Sequence, residues 1–141
     1  GSRHCPQDGQ LALRNTLLER GLDYQWLPAL GGRRRARADS PNSVWRNASF
    51  RGYADYMQTM DFAQGFADLL QLAAQKRTTL LCAEALWWRC HRSMVADALK
   101  ARSVRVLHIV AANSATEHPF TAPARVRDGQ LTYIQETQSL D

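Results

Sequence analysis

The sequence is poor in lysine and cysteine and contains no long apolar run. No run approaches the ~18 apolar residues that a membrane-spanning helix needs, and no secretory leader pattern follows the first residues. Three cysteines are an odd number, which argues against a disulfide framework and is typical of a reducing compartment. These absences exclude membrane spans and disulfide miniproteins, and we expect a cytoplasmic protein without membrane contact.

The remaining composition is that of a basic globular protein. The chain has 141 residues, of which 45% are hydrophobic, enough for a core and too many for a disordered tail. Lys and Arg together number 18 against 13 Asp and Glu, a formal charge of +5, and only Lys76 and Lys100 are lysines. We therefore expect one domain over residues 1–141, with arginines available for anionic ligands.

Two short apolar runs predict neighbouring strands of a parallel sheet. Thr78–Cys82 has the pattern of a buried strand, Val104–Val110 has the same pattern, and a helix between them ends near Arg102. This order is typical of a βαβ unit. The pair Asp128-Gly129 predicts a hairpin turn within a hairpin region at 118–134. We therefore expect a three-layer α/β domain with a mostly parallel sheet and a C-terminal β-hairpin.

The other elements predicted from the pattern are three helices and one short strand. Apolar spacing indicates a helix over Gln10–Arg20, a second near Phe50 and a third from Asp61. Tyr24–Leu27 has the aromatic character of a strand that the following proline ends.

An arginine-rich loop over residues 33–49 is the first candidate binding segment. Positions 33–51 hold six arginines, with Trp45 and Phe50 among them. Arginine with aromatic residues is suited to phosphates and stacked bases, so we expect Arg33, Arg46 and Asn47 to contact an anionic ligand. A solvated charged loop is the alternative interpretation of the same pattern.

A group of reactive side chains follows the Thr78–Cys82 run. Cys82 ends the expected strand, Glu84 follows it, and Cys90 and His91 would occupy the first turn of the next helix. A helix N-terminus and nearby cations lower a thiol pKa, so Cys90 is a candidate nucleophile or redox thiol. Glu84 would act as a base or orient His91, which would be the acid–base group. Both helix registers that fit the pattern bring Glu84 and His91 together.

Arg89 and Arg92 flank this cysteine motif and would bind an anionic substrate.

Three alternatives remain open from the residues alone. Cys90 also fits the buried stripe of the helix, where a small thiol needs no function. Metal binding is possible in residue type, but the spacing matches no closed zinc pattern, so we expect no metal. His108 and His118 fit structural positions, His108 as a core residue with its hydrogen bonds satisfied.

Several well-known motifs are missing. The sequence has no G-x-S-x-G elbow, no phosphate-binding P-loop and no G-x-G-x-x-G turn, so we expect no nucleotide cofactor.

Four motifs together resemble domain-of-unknown-function family 488. They are Leu30-Gly31-Gly32-Arg33, Phe50–Met57, Cys82-Ala83-Glu84 with Cys90-His91-Arg92, and His118-Pro119-Phe120. The resemblance implies a Rossmann-like α/β domain and favours a role in nucleotide or nucleic-acid metabolism. We include Tyr53, from the second motif, among the expected substrate-binding residues. Family members usually begin with a further strand, helix and strand, so we expect this chain to lack them and to pair as a homodimer through an exposed sheet edge.

Three functional hypotheses follow. The first is an enzyme that acts on a phosphate-bearing nucleotide or nucleic acid through Cys82, Glu84, Cys90 and His91. The second is a non-catalytic nucleic-acid-binding module that uses the arginine-rich loop. The third is a redox sensor in which Cys82 and Cys90 form the responsive thiol pair.

Overall fold

The computed structural model describes residues 6–32, 34–82, 84 and 86–135. Over these residues the chain forms four α-helices and two antiparallel β-hairpins. The elements are α1 (Pro6–Glu19), α2 (Ala48–Tyr56), α3 (Met60–Gln75), α4 (Arg92–Ala101), β1 (Leu107–Ala111), β2 (Ser114–Glu117), β3 (Arg125–Arg127) and β4 (Gln130–Thr132). Two short 3-10 helices, Pro28–Leu30 and Trp87–Arg89, precede α2 and α4. None of the helices in the described part of the chain has the length and apolar character needed to cross a membrane.

Side-chain caps and an apolar stripe explain where α2 and α3 begin. The Asn47 side chain accepts hydrogen bonds from the backbone N–H groups of Ser49 and Phe50 at the start of α2. Thr59 caps α3 in the same way, by accepting from the N–H of Phe62. These caps satisfy backbone donors that have no partner inside the helix. In α3 the buried residues Phe62, Phe66 and Leu69 lie at helical spacing, so one face of the helix enters the core.

The core lies between α2, α3, α4 and the residue that follows β4. Tyr53 and Ala54 come from α2, and Tyr133 closes the cluster from beyond β4. Burying these apolar and aromatic groups together is the main stabilising contribution to such a fold. The other members of the buried cluster are Leu30, Phe62, Phe66, Leu69, Met94, Val95 and Leu99.

The expected Rossmann-like three-layer fold with a mostly parallel sheet is wrong. Residues 77–82 form no regular element, and Leu81 is 63% exposed. The second run forms β1, which pairs antiparallel with β2. The physical reason is the turn at residues 112–113, which returns the chain beside β1 at once. A parallel strand would instead need a crossover and burial on both faces, whereas Ile109 is 70% exposed.

The hairpin predicted at Asp128-Gly129 is present. Both residues have positive φ, 53° and 75°, as a type I′ turn requires. The turn joins β3 to β4, with Val126 opposite Leu131. Tyr133 follows directly and is buried in the core, so the hairpin is anchored to the helices. In contrast, the strand predicted over Tyr24–Leu27 is wrong, because those residues form no strand.

Candidate functional site

Two cysteines and a histidine meet where α4 begins. The Sγ atoms of Cys82 and Cys90 lie 2.7 Å apart, and both cysteines are free. The Sγ of Cys90 is 3.7 Å from Nδ1 of His91. Ligand atoms of the three residues all lie within 4.8 Å of one another. We call Cys82, Cys90 and His91 the thiol cluster; the sequence predicted all three as site residues.

The backbone around Cys90 fixes its sulfur. The N–H of Cys90 donates to the carbonyl of Trp87, which closes the 3-10 helix, at 3.3 Å. The carbonyl of Cys90 accepts from both the N–H and the hydroxyl of Ser93 in the first turn of α4, at 3.0 and 2.8 Å. Cys90 therefore sits rigidly between two helical segments, whereas Cys82 ends the irregular segment 77–82.

Cys90 is buried and its thiol is a weak acid. Burial raises the pKa of Cys90 to about 11, and the neighbouring Cys82 acts in the same direction. The N–H of Arg92 donates to the sulfur at 3.4 Å and opposes the shift. The expectation of a lowered thiol pKa is thus wrong. The reason is burial, which outweighs the lowering effect of the Arg92 N–H and of the Arg92 charge at the start of α4.

His91 is held by close packing on two sides. Its ring lies against Tyr53, with centroids 4.9 Å apart. On another side the backbone of Gly32 approaches so closely that a Cβ there would be 2.6 Å from Nδ1. Tyr53, predicted as a substrate-binding residue, therefore positions the histidine, and its own hydroxyl donates to the carbonyl of Leu30 at 2.8 Å.

The surroundings of His91 keep its imidazole neutral. Burial lowers the pKa of His91, and the positive charges of Arg92 and Arg34 act in the same direction. A hydrogen bond to the backbone of Leu30 opposes the shift. A neutral imidazole beside a thiol can accept the thiol proton, so the cluster combines two thiols with one base.

Other predicted site residues lie outside this cluster. Glu84 is exposed, and its carboxylate accepts from the N–H of Leu86 at 3.2 Å. It does not belong to the thiol cluster, and no described hydrogen bond joins it to His91. The 3-10 helix Trp87–Arg89 lies between Glu84 and α4, which begins at Arg92, later than either predicted register began the helix. Arg89 ends that 3-10 helix with its side chain exposed.

The arginine-rich loop is ordered by contacts with the protein. Asp55 of α2 accepts from the N–H of Arg37, the hydroxyl of Ser40 and the amide of Asn42, at 2.8, 2.5 and 2.7 Å. The guanidinium of Arg34 lies 3.7 Å from the Tyr56 ring centroid and donates to the carbonyl of Gly31 at 3.3 Å. The loop between residues 34 and 42 is therefore tied to α2.

The predicted ligand-binding residues of this loop do not converge on the thiol cluster in any described contact. Arg46 is exposed, and its carbonyl accepts from the guanidinium of Arg51 at 3.0 Å. Asn47 uses its side chain to cap α2. Arg33 lies outside the described residues. Among the predicted arginines, Arg92 adjoins the cluster most closely, through its N–H to Cys90 and its charge on His91.

A second cluster was not predicted as a site: a buried chain of hydrogen bonds from Asp97 through His118 to His108. Nε2 of His118 is 2.8 Å from a carboxylate oxygen of Asp97, and Nδ1 of His118 is 2.7 Å from Nε2 of His108. The Asp97 carboxylate also accepts from Thr121 and from the hydroxyl of Tyr133. We call Asp97, His118 and His108 the histidine relay.

The relay joins α4, β1 and the segment after β2. The indole of Trp87 stacks on His108, with centroids 4.1 Å apart and ring planes 3° from parallel. Burial lowers the pKa of His108 to about 4, with the charges of His118 and Arg92 acting the same way. The expectation that His108 is a core residue with a hydrogen-bond partner is confirmed. For the other members of the relay, the sequence offered one signal, an acidic residue (Asp97) on the apolar face of a predicted helix.

Over the described residues, fold and site define a protein of four helices and two hairpins with a cysteine–histidine cluster at the start of α4. The chain belongs to the family described as "Domain of unknown function DUF488", whose model matches residues 1–99. That match includes the whole thiol cluster, and the family expectation from the sequence is confirmed. No curated protein and no solved structure matches the chain.

Proposed function

We propose that the protein is a thiol–disulfide redox protein in which Cys82 and Cys90 alternate between a dithiol and a disulfide. The observation that carries this proposal is the 2.7 Å separation of the two sulfurs. A disulfide bond is about 2.05 Å long, so a small displacement of one side chain joins them. Of the three functional hypotheses, the redox pair fits this geometry best.

The different environments of the two thiols give them different roles. Cys82 is partly exposed and Cys90 is buried, so a small disulfide substrate reaches Cys82 first. The Cys82 thiolate attacks one sulfur of the substrate, forms a mixed disulfide and releases one thiol. Cys90 then attacks the Cys82 sulfur and releases the second thiol. The net reaction converts one small disulfide and two protein thiols into two small thiols and one protein disulfide.

His91 supplies the base that the second step requires. With a pKa of about 11, only about one Cys90 in ten thousand is a thiolate at pH 7. The neutral His91 imidazole, 3.7 Å from the sulfur, accepts the Cys90 proton as the new bond forms. The proton then passes to the departing thiolate, so His91 is regenerated.

The two hypotheses that involve phosphate ligands stay predictions. A catalytic cysteine nucleophile needs a low pKa, whereas burial raises that of Cys90. Two arginines of the arginine-rich loop also have partners within the protein, since Arg34 donates to the carbonyl of Gly31 and Arg37 pairs with Asp39. A disulfide substrate, in contrast, is attacked first by the partly exposed Cys82, needs no free arginines, and requires deprotonation of Cys90 only in the second step, where His91 is beside it.

Reaction with glutathione disulfide tests the proposal, in a Cys5→Ser chain that leaves only the proposed pair. The double-thiol protein should form an internal disulfide and release two equivalents of glutathione. Cys90→Ser should stop at a mixed disulfide on Cys82, and Cys82→Ser should react at least about tenfold more slowly because the buried thiol is left. Release of a single equivalent by the double-thiol protein, or equal rates for the two variants, would refute the proposal.

A further inference from the structure

We propose that the reduced thiol cluster is also a binding site for Zn²⁺, with Cys82 Sγ, Cys90 Sγ and His91 Nδ1 as ligands, and that disulfide formation expels the metal. This inference rests on the proposed function, because the same two sulfurs would serve both states. With such a site, the redox state of the two cysteines would determine whether Zn²⁺ is bound or released. The sequence predicted no metal here, since the ligands follow no closed zinc pattern.

The distances within the cluster are close to those of a zinc site. Tetrahedral zinc holds sulfur at about 2.3 Å and imidazole nitrogen at about 2.0–2.1 Å, which places a sulfur and a nitrogen ligand about 3.6 Å apart. The observed distance from Cys90 Sγ to His91 Nδ1 is 3.7 Å. Two sulfur ligands would lie about 3.8 Å apart. The two sulfurs, now 2.7 Å apart, must therefore separate by about 1 Å.

Cys82 is the residue that can make this movement. Cys90 is fixed by backbone hydrogen bonds to Trp87 and Ser93 on either side. Cys82 ends residues 77–82, which contribute no strand or helix to the described part of the chain, and its side chain is partly exposed. A shift of the Cys82 side chain toward solvent opens the pair without disturbing α4, and the same side gives a cation its path of entry.

The neighbours of the cluster fit the outer shell that a zinc site requires. A metal-bound histidine usually donates its second N–H to a carbonyl or carboxylate, which fixes the ring. His91 has a backbone hydrogen bond to Leu30, and the Tyr53 ring and Gly32 hold the ring from the sides. The N–H of Arg92 points at the Cys90 sulfur at 3.4 Å, where it would stabilise a thiolate ligand.

The chemistry of the switch balances with a small disulfide as the oxidant. Binding converts two thiols and Zn²⁺ into a zinc dithiolate and releases two protons. Oxidation then takes the zinc dithiolate, one small disulfide and two protons to the protein disulfide, free Zn²⁺ and two small thiols. With three protein ligands, the fourth zinc position is left to water or to a substrate, as in catalytic zinc sites.

Titration of the reduced full chain with Co²⁺ and then Zn²⁺ tests the site itself. We expect one equivalent of Co²⁺ to give sulfur-to-cobalt charge-transfer bands, and one equivalent of Zn²⁺ to abolish them. Cys82→Ser, Cys90→Ser and His91→Phe should each weaken binding at least about a hundredfold, while Cys5→Ser should not change it. Circular dichroism of each variant confirms that the chain is folded. No stoichiometric binding, or the same affinity in folded Cys82→Ser as in the parent, would overturn the site.

A second measurement tests the link between the two states. The chain oxidised with glutathione disulfide should bind no Zn²⁺, and saturating Zn²⁺ should slow disulfide formation of the reduced chain at least about tenfold. If the disulfide forms but the reduced chain binds no zinc, this inference fails and the proposed function stands. If zinc binds but no disulfide forms, the metal site stands, whereas the proposed redox function and the expulsion step both fail.

Discussion

The backbone of Gly32 lies directly against the imidazole of His91. A Cβ at position 32 would be 2.6 Å from Nδ1 and 3.0 Å from Cε1 of that ring. Glycine is therefore required at position 32 by the histidine, which packs on Tyr53 from another side. The loop that precedes the arginine-rich segment thus sets the position of the base in the thiol cluster.

Replacing Gly32 with alanine should displace His91 and slow the second step of disulfide formation. We expect Gly32→Ala to reduce the rate at which Cys90 displaces glutathione from Cys82 by about tenfold, with a stability loss of about 1–3 kcal/mol from overpacking. Stopped-flow or quenched-flow mass spectrometry measures the rate. Gly31→Ala is the matched control, because a Cβ there meets only the carbonyl of Pro28 at 3.2 Å. Equal rates for the two variants would show that His91 takes no part in the step.

Replacing Asp97 with asparagine should destabilise the fold. The buried carboxylate accepts hydrogen bonds from His118, Thr121 and Tyr133 through both of its oxygens. In asparagine one of these oxygens becomes an NH2 group, which donates and cannot accept, so some of these bonds are lost. We expect Asp97→Asn to lower the free energy of unfolding by about 2–4 kcal/mol, measured by urea denaturation. Asp68→Asn, on the exposed face of α3, should change it by less than about 0.5 kcal/mol. A loss of the same small size in both variants would contradict the importance of the relay.

The relay also predicts that stability falls as the pH is lowered from 7 to 5. Burial lowers the pKa of His108 from 6.5 to about 4. Between these values the unfolded chain binds a proton at this residue and the folded chain does not, so acid favours unfolding. Urea midpoints at pH 7 and pH 5 measure the effect. His108→Gln should reduce the difference between the two midpoints, and an unchanged difference would be inconsistent with a neutral buried His108. The pH dependence of stability that remains in His108→Gln should come in part from His91, whose pKa is also lowered.

Asp55 should control the order of the arginine-rich loop. Burial raises the pKa of Asp55, but hydrogen bonds from Ser40, Arg37 and Asn42 outweigh it and hold the pKa below its ordinary value. This contribution to stability is present above the unfolded pKa and is lost as the pH falls through the folded pKa. We expect Asp55→Asn to speed tryptic cleavage after the arginines of residues 34–37 by about tenfold or more at neutral pH.

Asp39→Asn is the control for this cleavage experiment. Asp39 pairs with the Arg37 guanidinium at 2.9 Å, but both side chains are largely exposed, so the pair contributes little to the order of the loop. Cleavage that is no faster in Asp55→Asn than in Asp39→Asn would count against the anchoring role of Asp55.

Local patterns in the sequence predicted the elements that depend on neighbouring residues. The apolar spacing of Phe62, Phe66 and Leu69 predicted α3, and Asp128-Gly129 predicted the turn between β3 and β4. An apolar run does not specify which segment is its partner strand, or whether the two pair parallel or antiparallel. The run that contains β1 was therefore assigned to a parallel sheet, although the turn after it pairs it with β2.

The same distinction applies to the site. Cys82, Cys90 and His91 were predicted because the latter two are adjacent and the first ends an apolar run, and the structure brings them together. Glu84 was included because it directly follows the Thr78–Cys82 run, but α4 begins only at Arg92, after the 3-10 helix at Trp87–Arg89. The histidine relay joins three elements far apart in sequence, so no spacing pattern could indicate that Asp97, His118 and His108 meet.

Tryptic mapping of the oxidised chain tests the central claim most directly. Cleavage after Arg77, Arg89 and Arg92 places the two cysteines in separate peptides, residues 78–89 and 90–92, while Cys5 falls in a third. After equilibration with a glutathione buffer, the proposed redox pair predicts that peptides 78–89 and 90–92 are recovered joined by one disulfide and are separated by reduction. Recovery of both as free thiols, or of either joined mainly to the Cys5 peptide, would contradict it.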